Sequence, residues 1–173
     1  MSAESSIHAV AVALAVDPDG PLVGILILGE AGSGKSSFAL TLIETCPYQR
    51  TALVADDVVV ISSKQAGLIA SAPAPICGLI EIRGYGPFPI RKASAVSLRF
   101  AVENASPPER VSLPRDFRPP GRPGDGIPLY SIPWETGQHL AALRLRRLVA
   151  SNLGGQLLQC TQDSVPKTAK DGG

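Results

Sequence analysis

No two of the three cysteines, Cys46, Cys77 and Cys160, lie close enough to form a CxxC pair. An odd, scattered set supports neither a disulfide framework nor a zinc site, and it fits a reducing, cytoplasmic setting. An excess of charge of one sign is also missing: 16 basic against 15 acidic residues leave a formal charge of +1. No long-range field then draws the chain to nucleic acid or to an anionic membrane, and neither is expected as a partner. Long apolar runs are absent as well. The stretch "IHAVAVALAV" is too short to span a bilayer, and it follows acidic Glu4 with no basic segment, so no membrane span and no signal peptide are expected. No internal repeat occurs. What is present, 173 residues of which 45% are hydrophobic, suits one globular domain with a real core.

Ile7 to Val16 is rich in Val and Ala and closes on the turn signal "DPDG", which predicts a strand entering a hairpin. Leu22 to Leu28 reads as a second strand, apolar on both faces as a central strand covered by helices would be. Between Lys35 and Thr45, Phe38, Leu42 and Ile43 recur at helical spacing, and Pro47 ends that helix. "TALVADDVVVIS" reads as a buried strand interrupted by two aspartates. In "GLIEIRGYGPFPI", Ile80 and Ile82 point one way and Glu81 and Arg83 the other. "VSLRFAV" is another strand. Glu103 to Pro128 carries seven prolines and four arginines without any period, and is expected to be a long loop. "IPLYSIP" is a short strand, and Glu135 to Val149 a basic helix carrying Leu140, Leu143 and Leu148. Residues 1–150 are thus expected to form the domain, and 151–173 a polar, flexible tail.

The densest chemical signal is Gly29-Glu30-Ala31-Gly32-Ser33-Gly34-Lys35-Ser36, which matches the phosphate-loop pattern G-x-x-x-x-G-K-[ST]. Glycines let backbone N–H groups turn inward around phosphate oxygens, and the start of the following helix adds partial positive charge. Lys35 reaches the outer phosphates, and the Ser36 hydroxyl is a magnesium ligand. A preceding strand and a following helix complete the context, so this seam is expected to bind a nucleotide.

Asp56 and Asp57 follow "LVA" at the carboxyl end of a strand, where ligands of open α/β sheets sit. Adjacent residues point to opposite faces, so one is expected to face the phosphates while the other acts from behind it. A carboxylate there can hold magnesium or accept the proton of an attacking hydroxyl. Charge logic does not decide which aspartate is the base. Two acids inside so apolar a run are costly without partners.

"GEAGSGKSS", "VADD" and "GLIEIRGYGPFPI" together resemble the catalytic domain of HPr kinase/phosphorylase, from about Ile7 to Val149. The resemblance implies an α/β fold, a P-loop kinase domain with a mixed, largely buried sheet flanked by helices. It implies an ATP- and Mg2+-dependent protein serine kinase acting on the phosphocarrier HPr, assembled as a hexamer, in a short form without the N-terminal domain of larger members. It implies that Lys35 is the phosphate lysine, that Ser36 and Glu81 are magnesium ligands, and that the aspartate pair supplies the base. Glu81, Ile82, Arg83, Gly84, Tyr85 and Gly86 match a segment needed for both directions of chemistry. His8 stands where the family has a histidine close to the catalytic aspartate. Arg110 falls near its catalytic arginine, with Arg115 and Arg118 as alternatives.

Three departures stand out. "PIRKASAV" is shorter and more basic than the corresponding substrate loop, and "TCPYQRT" is an insertion in a surface connection. Near the last helix, Gln138 and His139 replace an Arg-Asn pair linked to dephosphorylation, which puts the reverse reaction in doubt. Arg144, Arg146 and Arg147 read as a solvated helix face or as a contact for an acidic partner. Trp134 reads as core or subunit contact. Alternatives on the same scaffold are a small-molecule kinase and a nucleotide-dependent regulatory module.

Overall fold

A computed structural model describes residues 4–64, 67–110, 113–121, 124 and 126–153. The chain begins with β1 (Glu4–His8), β2 (Val10–Leu14), β3 (Val23–Leu28) and helix α1 (Lys35–Glu44). It continues through β4 (Ala52–Ala55), β5 (Val58–Lys64), β6 (Gly67–Ser71), β7 (Leu79–Ile82) and β8 (Gly86–Pro89). β9 (Ala95–Glu103), β10 (Arg115–Phe117), β11 (Ile127–Ser131) and helix α2 (Gln138–Leu153) complete it. This is an α/β P-loop kinase fold, with a mixed sheet in the order β1-β5-β6-β9-β3-β2-β4. The long β9 is its hinge. β9 pairs β6 through Ala95–Ser97 and β11 through Ala101–Glu103, while running parallel to β3. β7 and β8 form a separate two-stranded hairpin.

The single strand expected over Ile7–Val16 is two strands, broken at Ala9. β1 pairs β5, with His8 opposite Val58, whereas β2 pairs β3 and β4. β4 and β5 are broken at the same level, by Asp56 and Asp57. The two breaks face each other, and the Ala9 N–H donates to the Asp57 carbonyl at 3.2 Å. An antiparallel ribbon interrupted on both strands at one point is where the sheet changes direction.

Alternation along β2 and β3 explains why both read as apolar throughout. Val10, Val12, Leu14, Ile25 and Ile27 pack with Phe38 and Leu42 of α1 and Ala142 and Leu145 of α2. Ala11, Ala13 and Leu26 pack the other way, against Val59, Ile61, Leu68 and Ala70 of the curled part of the sheet. Both helices therefore lie over one face, and strands rather than helices cover the other.

Three local expectations are corrected. The proline-rich segment after β9 is not wholly loop, because Arg115–Phe117 pairs with β11 as β10. Helix α2 spans Gln138–Leu153 where Glu135 to Val149 was expected; residues 154–173 of the expected tail lie outside the described residues. Its buried face is Ala141, Ala142, Leu145, Arg146 and Val149, while Leu140 and Leu143 are exposed. Small residues let α2 approach α1 closely, and the bulkier leucines are left outside.

Arg146 is likewise not on a solvated face. It is buried, and its guanidinium donates to the carbonyls of Leu42 and Thr45 and to the Thr45 hydroxyl. These are carbonyls that the end of α1 leaves without helical partners. Burial lowers the Arg146 pKa, and nearby Cys46 partly restores it. Burial pushes the Cys46 thiol up, but hydrogen bonds from Thr51, Arg50 and Tyr48 bring it down to about 7. Arg144 and Arg147 are exposed. Among the described residues, no helix is long and apolar enough to cross a membrane.

Candidate functional site

β3 and α1 are joined by the glycine loop, which turns back over the first turn of the helix. Gly29, Gly32 and Gly34 have φ of 152°, 82° and 81°. These are backbone angles that glycine adopts without steric cost. Lys35 opens α1, is 6% exposed, and donates from Nζ to the Gly29 and Glu30 carbonyls, both at 2.8 Å. Burial lowers its pKa below the ordinary 10.5, with Asp57 and then Asp56 offsetting part of the shift.

The third partner of Lys35 comes from the end of β1. Nζ lies 3.2 Å from His8 Nε2, and His8 Nδ1 lies 2.8 Å from Asp57 Oδ1. An ammonium only donates, so Nε2 must present its lone pair. The ring proton then sits on Nδ1 and is donated to the carboxylate. Lysine, imidazole and aspartate form one continuous chain.

Asp56 has a different set of partners. Its Oδ1 accepts from the Ser36 hydroxyl at 2.7 Å, and its Oδ2 accepts from the Glu81 backbone N–H at 2.9 Å. It is buried, at 6% exposure, whereas the Asp57 side chain is 66% exposed. Of the two, Asp57 lines the cleft and Asp56 does not. Asp57 has φ 70°, which turns it out of the ribbon. The left-handed conformation is one that aspartate tolerates better than most residues.

The cleft so formed measures about 310 Å³ and is lined by His8, Gly32, Lys35, Ser36, Asp57, Glu81 and Arg83, with Val10 and Ala31 beside them. Of the β7–β8 segment, Glu81 and Arg83 reach the cleft; Ile82 is half-buried, and Gly84, Tyr85 and Gly86 make the exposed end of the hairpin, Tyr85 at 81%. Among the described residues Glu81 and Arg83 form no ion pair, so the Glu81 carboxylate is open to the cleft. Arg110 is exposed in the turn after β9 and does not line the cleft. Arg115 pairs with Glu103, and Arg118 with Asp116. Among the described residues, Arg83 is the arginine that lines the cleft.

The Ser36 hydroxyl and the Glu81 side chain line the cleft, and Asp56 is hydrogen-bonded to both residues from behind, through the Ser36 hydroxyl and the Glu81 backbone N–H. Hydroxyl and carboxylate oxygens are the hard donors that magnesium takes, alongside waters and phosphate oxygens. The Ser33 hydroxyl is buried and finds no partner among the described residues, and a Cβ on Gly29 would lie 2.5 Å from it. That crowding accounts for glycine at position 29. Trp134, expected in the core or at a subunit contact, is fully buried and stacks on Phe38 at 4.6 Å and 6°. It also touches the loop, donating from Nε1 to the Ser33 carbonyl at 2.9 Å. No motif marks that contact, which crosses 101 positions.

The family model of the HPr serine kinase C-terminal domain matches residues 1–98. The HPr kinase/phosphorylase of Clostridium tetani is 47% identical over 64 residues, covering 37% of this chain and 20% of that protein. The HPr kinase/phosphorylase of Brevibacillus brevis is 33% identical over 132 residues, covering 70% of this chain and 41% of that protein. The chain thus spans less than half the length of these relatives. The HPr(Ser) kinase/phosphatase of Coxiella burnetii superposes with a TM-score of 0.68 at 25% identity, over 92% of this chain and 95% of that one. Matched by its family model over residues 1–98 of 173, the chain belongs to the HPr serine kinase C-terminal domain family.

Proposed function

We propose that the protein is an ATP- and Mg2+-dependent serine kinase acting on an HPr-like phosphocarrier protein. The observation that carries the reading is the chain Lys35–His8–Asp57 running from the phosphate loop to an exposed carboxylate. In the reaction, the acceptor serine oxygen attacks the terminal phosphorus in line, the bond to the ADP oxygen breaks, and the serine proton passes to Asp57. His8 holds one Asp57 oxygen through its Nδ1–H and leaves the other for the serine hydroxyl. Lys35 exchanges its contacts with the Gly29 and Glu30 carbonyls for the outer phosphate oxygens, whose charge it offsets together with Arg83. Ser36, Asp56 and Glu81 would hold Mg2+, which supplies positive charge to the phosphate oxygens when bound. Assembly as a hexamer belongs to the same reading and is checked by sedimentation.

The test is incubation with labelled ATP, magnesium and candidate HPr proteins, followed by mapping of the label. Label on a serine of HPr, lost in Lys35→Ala, is the expected result. Absence of transfer to every HPr offered, with ATP bound normally, would overturn the acceptor assignment.

A further inference from the structure

Trp134 is the single tryptophan of the chain, and its indole is buried against the outside of the phosphate loop. The N–H of any buried indole finds an acceptor, but the acceptor here is a carbonyl of the loop itself, Ser33. In a trans peptide the carbonyl and the next residue's N–H point in opposite directions. No cis peptide bond occurs here, so a Ser33 carbonyl drawn out toward Trp134 drives the Gly34 N–H the other way, into the loop. Among the described residues nothing accepts a hydrogen bond from that N–H.

The indole is well placed to impose this orientation. It stacks on Phe38, and its own backbone N–H donates to Asn104 Oδ1 at 3.0 Å. A Cβ on Gly34 would lie 3.5 Å from the indole nitrogen and 3.7 Å from Gln138 Nε2, so α2 and the segment before it form the floor on which the peptide rests. Gly34 has φ 81°, and glycine at such an angle can swing its flanking peptide planes when nothing holds them.

We infer that Trp134 is a positioning residue for nucleotide binding: it locks the Ser33–Gly34 peptide so that the Gly34 N–H is aimed at a phosphate before the nucleotide arrives. The inference rests on the nucleotide reading above and adds the residue that pre-orders the loop. A purely structural tryptophan would change stability when replaced and leave the nucleotide affinity of the folded protein alone.

The test compares wild type with Trp134→Phe, which keeps an aromatic ring on Phe38 and removes the donor. MgADP is titrated calorimetrically, with circular dichroism confirming the fold. The expected Kd of the variant is about tenfold weaker, the cost of disordering one hydrogen bond to a charged group. In the kinase assay, KM for ATP should rise in parallel with kcat within about twofold. In wild type, Trp134 emission should change on adding MgADP, because phosphate charge arrives one peptide away from the indole; this measurement decides the matter if the variant does not fold. Equal Kd values in two folded proteins, or wild-type emission unmoved by saturating MgADP, overturn the role of Trp134 alone. Wild-type protein that binds no MgADP overturns the nucleotide reading and this inference with it.

Discussion

Asp57 turns out of the ribbon at φ 70° while Asp56 remains tucked beneath it, and this separates two carboxylates that are neighbours in sequence. Their asparagine variants should fail differently. Asp57→Asn removes the proposed proton acceptor at the exposed position, so kcat should fall about a hundredfold or more with MgADP affinity nearly unchanged. Asp56 accepts from Ser36 and Glu81 with separate oxygens, and an amide has only one oxygen to offer. Asp56→Asn should therefore cost about 1–3 kcal/mol of stability and raise the magnesium requirement. Denaturant melts and magnesium titrations of both variants check the split. Lys35 makes a separate prediction about pH. Its folded pKa lies below the 10.5 of the free side chain, so on raising pH the folded protein releases this proton first. From the folded pKa up to 10.5 the unfolded chain binds more protons, and this group makes stability rise with pH. Phosphate affinity moves the opposite way, since the attracting charge is leaving. MgADP affinity should thus decline at a pH below 10.5, and this decline should vanish in Lys35→Ala, whose affinity is already low.

At the scale of elements, the site depends on how helices and hairpin are anchored. α1 starts at the phosphate loop and ends at carbonyls capped by Arg146 of α2, so one guanidinium fixes the far end of the helix that carries Lys35 and Ser36. Arg146→Met fills similar space but leaves those carbonyls buried without a donor. We expect it to destabilise the protein by about 2–4 kcal/mol, read as a drop in denaturant midpoint, with little effect on nucleotide affinity while folded. The β7–β8 hairpin is held to the sheet partly by the Glu81 N–H on Asp56, which leaves its carboxylate over the cleft. Glu81→Gln keeps the backbone contact and weakens the proposed metal donor. An increased magnesium requirement with unchanged stability is expected from parallel titration and melting curves.

For the whole molecule, the cleft is assembled from the end of β1, the glycine loop, the break between β4 and β5, and the hairpin, with α2 supporting the loop from outside. Gln138 belongs to that support. Its Oε1 accepts from Thr41 at 3.0 Å, and it stands beside Gly34, where the resembling family offers an arginine. A neutral amide lacks the charge and donor fork of a guanidinium. Dephosphorylation of serine-phosphorylated HPr with excess phosphate should therefore run slower than the forward reaction, by roughly a hundredfold if one such contact is lost. Gln138→Arg should recover part of the reverse rate. Reverse turnover in wild type as fast as the kinase reaction would show that position 138 does not set direction.

The phosphate loop, the helix after it and the acidic pair were legible in the sequence because they are local. Glycines at positive φ, a lysine at a helix start and charges interrupting an apolar strand are properties of a few consecutive residues. The break at Ala9 was not legible, since it arises from two partners, β5 and β3, competing for one continuous apolar run. Hydrophobicity along α2 does not say which residues face inward: Ala141, Ala142 and Leu145 are buried while Leu140 and Leu143 are exposed, because close approach to α1 favours small side chains. Arg83, unlike Arg110, reaches the cleft only because a hairpin folds over it. The placement of Asp56 and Asp57, the burial of Arg146 and the grip of Trp134 on Ser33 depend on contacts between distant segments, up to 104 positions apart. Sequence determined which chemical groups this protein has to offer a ligand. Tertiary structure decided which of them face the cleft, because a side chain's partners are chosen by packing across elements and not by its neighbours along the chain.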